Sequence, residues 1–211
     1  MRKNLLLLLV LVGCGSSDKP TVDAAVSALT CDNYCTEIQA NCTGANAQYP
    51  DPAHCMAACA SFAPGTAADQ TGNTLGCRIY HAGTPSMTAP DTHCVHAGPG
   101  GDKTSVTAPP GTCGDPCTSF CTLEIKACGL TGDAGGNGQY ASMAACMTAC
   151  AAFPNATHAY GVTAKGDSLA CRLYHATNAA EAGNAMVHCP HTGPSPAGAM
   201  NPCLAGSTAT P

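Results

Sequence analysis

Tryptophan is absent from this 211-residue chain, aromatic residues make up 4% of it and charged residues 10%. Beyond Cys14, the residues Leu, Ile, Val, Met, Phe and Tyr together number 31. Burial of so little apolar surface rarely offsets the conformational entropy of folding by itself. The hydrophobic share of 45% is raised by alanine and cysteine rather than by large side chains. Basic residues are also scarce. After Cys14 there are six, Lys19, Arg78, Lys103, Lys126, Lys165 and Arg172, and they form no cluster. Nucleic acid is therefore not an expected partner. The apolar run from Leu5 to Val12 is too short to cross a bilayer as a helix. Several chemical signatures are missing too. There is no Cys-x-x-Cys of the thioredoxin kind, no Cys-x-x-Cys-His for haem attachment, no Gly-x-Ser-x-Gly and no His-Glu-x-x-His. The carboxylates are scattered and single out no glycosidase-like pair. No catalytic residue is named, and a non-enzymatic protein is expected.

Cysteine is abundant, with 17 in the chain. At the amino terminus Arg2 and Lys3 precede the apolar run, which ends in Leu11-Val12-Gly13-Cys14. This resembles the lipobox of bacterial lipoproteins. The resemblance implies a signal peptide over 1–13, cleavage before Cys14 and acylation of Cys14. Each buried methylene of such an anchor contributes roughly 0.8 kcal/mol. Gly15, where an Asp would favour retention at the inner membrane, implies the outer membrane of a Gram-negative bacterium. Residues 14–29 are small and polar and form a lipidated, flexible tether. The expected contacts are the membrane, through the lipid, and an unidentified protein or envelope partner. The chain as a whole is similar to cysteine-rich lipoproteins of Gly- and Ala-rich bacterial proteomes, a likeness that implies no activity.

The other sixteen cysteines fall into two sets of eight. Export and dense cysteine together argue for a disulfide framework. In both sets the first three follow one spacing: Cys31, Cys35 and Cys42, then Cys117, Cys121 and Cys128. A second Cys-x-x-x-Cys follows in each, Cys55 with Cys59 and Cys146 with Cys150. Gln48-Tyr49 recurs as Gln139-Tyr140, and Phe62 as Phe153. These are two readings of one design. Module 1 spans 30–114 and module 2 spans 115–205, with a tail over 206–211. The four-residue cysteine step places both sulfurs on one helix face. Helices are expected from Thr30 to Cys42 and from Pro52 to Phe62, with Ser142 capping the counterpart of the latter. A third helix is expected to start near Asn73, and its copy near Asp167, with irregular chain after each. The fold class is mainly α, small and disulfide-rich: two tandem helical modules with irregular Gly/Pro-rich loops. The paired Cys-x-x-x-Cys helices resemble the α-hairpinin arrangement. That resemblance implies Cys31–Cys59 and Cys35–Cys55 in module 1, and Cys117–Cys150 and Cys121–Cys146 in module 2.

The polar residues that recur are the sharpest functional signal. Cys77-Arg78-Ile79-Tyr80-His81 is followed by His93-Cys94-Val95-His96, and the second copy is Cys171-Arg172-Leu173-Tyr174-His175 followed by His188-Cys189-Pro190-His191. Six of the eight histidines are thus repeated in register. Three neutral imidazoles per module can ligate copper or zinc with a coordination position left open, and a haem-binding role is a further expectation. Arg78, Tyr80, Arg172 and Tyr174 would then support the ligands. The alternative is structural: His81 and Tyr80 packing against the Gly-Pro turn, with the arginines tying down loop carbonyls. Both readings stand at this point, beside that of a binding or structural surface protein.

Overall fold

The computed structural model describes residues 28–102, 111–134, 136–154, 160–194 and 201–207. Cys14 and the signal segment lie outside the described residues. Module 1 contains α1 (Cys31–Asn41), α2 (Pro52–Cys59), α3 (Leu75–Ala82), α4 (Thr84–Thr88) and α5 (Pro90–Ala97). Module 2 contains α6 (Pro116–Cys128), α7 (Met143–Cys150), α8 (Leu169–Ala179) and α9 (Ala185–His188). Short 3-10 turns cover Gly44–Asn46 and Cys189–His191. Among the described residues no β-strand occurs, and no helix is long and apolar enough to cross a membrane.

Helix starts follow from side chains that accept from otherwise unpaired backbone N–H groups. Thr30 caps α1, Asp51 caps α2 just ahead of Pro52, and Ser142 caps α7. The third helices start one residue later than Asn73 and Asp167 would have placed them. Thr74 Oγ1 accepts from Cys77 N and Ser168 Oγ from Cys171 N, both at 3.1 Å. Asp167 is engaged elsewhere, its Oδ1 2.8 Å from Arg172 Nη1. The chain beyond the third helix is also more ordered than its Gly and Pro content suggested. Pro90 and Pro116 sit in the first turns of α5 and α6, where their missing N–H costs nothing. His93 and His96 therefore lie on a helix rather than in irregular chain.

All eight disulfides close within one module. Module 1 has Cys31–Cys59, Cys35–Cys55, Cys42–Cys94 and Cys77–Cys113. Module 2 has Cys117–Cys150, Cys121–Cys146, Cys128–Cys189 and Cys171–Cys203. The nested inner pairs make α1 and α2 antiparallel, and likewise α6 and α7. The third bond in each set ties the end of the first helix to the histidine-bearing segment. The hydrophobic core, by contrast, does not stop at the module boundary. One buried cluster includes Tyr34, Ile38 and Leu75 of module 1 with Phe120, Leu123 and Leu173 of module 2.

Two arginines fill volume that large apolar side chains would otherwise occupy. Arg78 is 0% exposed, with its guanidinium carbon 4.0 Å above the Phe62 ring centre. Arg172 is 2% exposed and sits 3.9 Å above Phe153. A buried cation is tolerated when its donors are satisfied and an aromatic face receives it. Arg78 Nε donates to Gly98 O at 3.3 Å and Nη1 to Thr74 O at 3.3 Å. Its Nη2 reaches Ser119 Oγ in module 2 at 3.2 Å. Arg172 Nε donates to Gly193 O at 3.2 Å. Gly98 is required by close approach, because a Cβ there would lie 2.0 Å from Gln48 Oε1. At Gly193 a Cβ would lie 2.9 Å from Gln139 Oε1, so the Gln-Tyr and Gly-Pro pairs recur as one packing unit.

The Cys42–Cys94 bond spans 52 residues. Cross-linking a loop of that length stabilises by about 4 kcal/mol in the chain-entropy model. The double variant Cys42→Ala/Cys94→Ala is expected to lose stability of that order, and denaturant unfolding followed by circular dichroism measures it.

Candidate metal centres

Each histidine cluster is assembled by two helices and their staples. His81 stands one turn after Cys77 on α3, and Cys77 is bonded to Cys113. His93 and His96 are three apart on α5 and share a face. Cys94, between them, points the other way, to Cys42. Arg78 holds the carbonyl of Gly98, the residue that caps α5, and so sets the end of the helix that carries His96.

The imidazoles meet through their Nδ1 atoms. His81 Nδ1 is 2.8 Å from His93 Nδ1, and His175 Nδ1 is 2.8 Å from His188 Nδ1. His191 Nδ1 is 3.4 Å from His175 Nδ1. The opposite nitrogens are anchored on backbone carbonyls: His81 Nε2 on Gln70 O at 3.1 Å and His175 Nε2 on Ala164 O at 3.2 Å. A carbonyl only accepts, so Nε2 carries the proton and the Nδ1 lone pair faces the cluster. This second contact is the usual way a protein orients a histidine ligand. Two nitrogens bound to one tetrahedral zinc ion at 2.0–2.1 Å would be about 3.3 Å apart. The distances here lie on either side of that value. In both modules the ligand atoms of the three histidines lie within 4.8 Å of one another.

His96 Nε2 is 3.4 Å from Thr112 Oγ1, whose backbone N–H donates to Asp102 at 2.7 Å. Tyr80 and Tyr174 do not enter the clusters. Each sets its ring edge-on to the neighbouring histidine, with centroids 5.0 Å apart. Cys77 and Cys113 lie near His81, and Cys171 and Cys203 near His175. All four are disulfide-bonded and offer no thiolate in this state.

Burial favours the neutral form of four of these histidines, His81, His175, His188 and His191. His175 is pushed down to about 3, by burial first and then by the nearby His191 and His188. His188 falls to about 4 for the same leading reason. Burial lowers His81 and His191 as well. Neutral imidazole is the form that binds metal.

Residues that drew no attention in the sequence complete the picture. Glu124 is 0% exposed on α6, its Oε2 lies 3.3 Å from Cys128 Sγ, and its Oε1 has no hydrogen-bond partner. Burial pushes it up to about 8, against the lowering effect of a hydrogen bond with Thr192. Three residues beyond Cys35, the same register in module 1 holds Ile38. That mismatch between the repeats was the available signal. His54, which has no repeated counterpart, bridges two carboxylates at the module boundary: Asp51 Oδ2 at 2.7 Å and Glu181 Oε2 at 3.3 Å.

Fold and site together define a small, disulfide-stapled helical repeat protein with a convergent histidine triplet in each repeat. The model of the BfoA family C-terminal domain matches the chain twice, over residues 9–108 and 115–204, and the chain belongs to that family. No curated protein and no solved structure matches it.

The shifted groups set the pH profile. Glu124 holds its proton more tightly in the folded state than its ordinary 4.5, so stability falls as pH rises from about 4.5 to 8. The penalty at pH 7 is roughly 3 kcal/mol. His175 and His188 refuse protons that the unfolded chain accepts, so stability also falls as pH drops from 6.5 towards 3. Glu124→Ile is expected to raise the melting temperature at pH 8 and flatten the alkaline limb without altering the acid limb. Thermal melts of the metal-free protein between pH 4 and 9 test this.

Proposed function

We propose that this is a lipid-anchored, non-enzymatic envelope protein whose two modules each bind one transition-metal ion, copper or zinc, on three imidazoles. The ligands are His81, His93 and His96 in module 1, and His175, His188 and His191 in module 2. One observation carries the reading: in both modules one histidine, His81 or His175, commits Nε2 to a backbone carbonyl and turns its Nδ1 towards the other two rings. Bracing alone would use ring nitrogens on carbonyls or hydroxyls. It would not set candidate ligand nitrogens of three imidazoles within 4.8 Å of one another in both copies. Convergence on one point suits a single ion better than a porphyrin, whose axial ligands stand on opposite sides of a plane. Three imidazoles leave a position open for water or a small donor. With an all-nitrogen ligand set, copper(II) is expected to bind more tightly than zinc.

The soluble form with Cys14 replaced is expected to take up two equivalents of copper(II) or zinc(II) by calorimetric titration and elemental analysis. The variant His81→Ala/His93→Ala/His96→Ala should take up one and keep its helical circular dichroism. A protein that takes up neither ion would make both clusters structural.

A further inference from the structure

The two centres are built alike but supported differently. In module 1 the helix carrying His93 and His96 is braced from within: Asn46 Nδ2 donates to Asp91 Oδ1, in the first turn of α5, at 2.9 Å. In module 2 the corresponding helix, α9, has four residues; it packs on α8 of its own module, and a run of polar contacts also reaches it from module 1. A single turn has little stability of its own, because nucleating a helix costs more than one hydrogen bond returns.

The path can be followed atom by atom. Asp51 accepts from the first turn of α2 and, through Oδ2, meets His54 Nδ1 at 2.7 Å. His54 Nε2 lies 3.3 Å from Glu181 Oε2 of module 2. The same carboxylate oxygen accepts from Asn184 Nδ2 at 2.9 Å. Asn184 is the residue from which α9 begins, and its carbonyl accepts from His188 N at 3.0 Å. His188 is a ligand of the second cluster. The module 2 position equivalent to His54, one before Cys146, is Ala145, so the bridge has no repeated counterpart among the described residues.

We infer that His54 is a positioning residue for the second metal centre, acting across the module boundary through Glu181 and Asn184, so that the two centres of one chain differ in affinity and only the second draws on this bridge. This rests on the metal-binding reading above. The bridge makes the second centre conditional: it is complete only while α2 is seated against α8 and Glu181. The first centre has no such bridge; its helix is braced by Asn46, and Arg78, which holds the turn after it, reaches Ser119 of module 2.

The test uses two single-centre forms of the full chain, His93→Ala to leave the second centre and His188→Ala to leave the first, titrated calorimetrically with zinc(II). Adding His54→Ala is expected to weaken the second centre about tenfold, a usual cost for losing a group that orients a ligand. The first centre should change less than twofold. His54→Gln, which keeps a donor and an acceptor, should recover most of the loss. Glu181→Ala should reproduce it, which guards against an effect peculiar to one variant. Equal affinities with and without His54, or equal weakening of both centres, would overturn the inference while leaving metal binding intact. If neither single-centre form takes up zinc before His54 is changed, the metal-binding reading fails and this inference with it.

Discussion

The disulfide linking the first helix of each module to the histidine-bearing segment is the constraint on which the rest depends. Cys42–Cys94 and Cys128–Cys189 place a sulfur beside or between the ligand histidines. They press two imidazoles against a third that the other long-range bond, Cys77–Cys113 or Cys171–Cys203, holds on its own helix. Without an ion, three imidazoles on one point are held by little more than single ring-to-ring hydrogen bonds, and a scaffold of ordinary softness would let them splay. A covalent frame resists that relaxation, and in the proposed metal-binding role it would keep the ligands in place before an ion arrives, which lowers the ordering cost of binding.

The frame also explains the composition of the interior. With few large apolar residues available, buried arginines lie over Phe62 and Phe153 and satisfy backbone carbonyls at the same time. Each guanidinium thus serves as core filling and as a clamp on the turn after the ligands. Module 2 departs from this economy at Glu124, a carboxyl in an isoleucine's place. Its cost is borne in the module whose histidine-bearing helix is also reached by the His54 bridge.

Much of this was legible in the sequence, for identifiable reasons. Helical cysteine spacing survives any change in loop length, so the helix pairs could be seen from Cys31 to Cys59 and from Cys117 to Cys150. The repetition of six histidines and two arginines singled out the candidate site because so few other polar residues compete with them. The caps at Thr74 and Ser168 were missed because Asn73 and Asp167, one residue earlier, are equally good capping types. Only the ion pair to Arg172 shows why Asp167 is not free for that role. The helix carrying His93 was hidden by Pro90, a residue type that ends helices in most contexts but occupies the first turn here, and the one carrying His188 by its single-turn length.

The sequence by itself determined the class of the protein, its repeat, its staples' alternation and the identity of the candidate ligands, because these depend on residue type and spacing along one dimension. Only the tertiary structure decided which nitrogen of each histidine faces the cluster, since that rests on the carbonyls of Gln70 and Ala164, remote from any motif. It alone joined the cores of the two modules and set His54 between Asp51 and Glu181. Such contacts bring together residues more than a hundred positions apart, and no local pattern encodes which distant surfaces will bury one another.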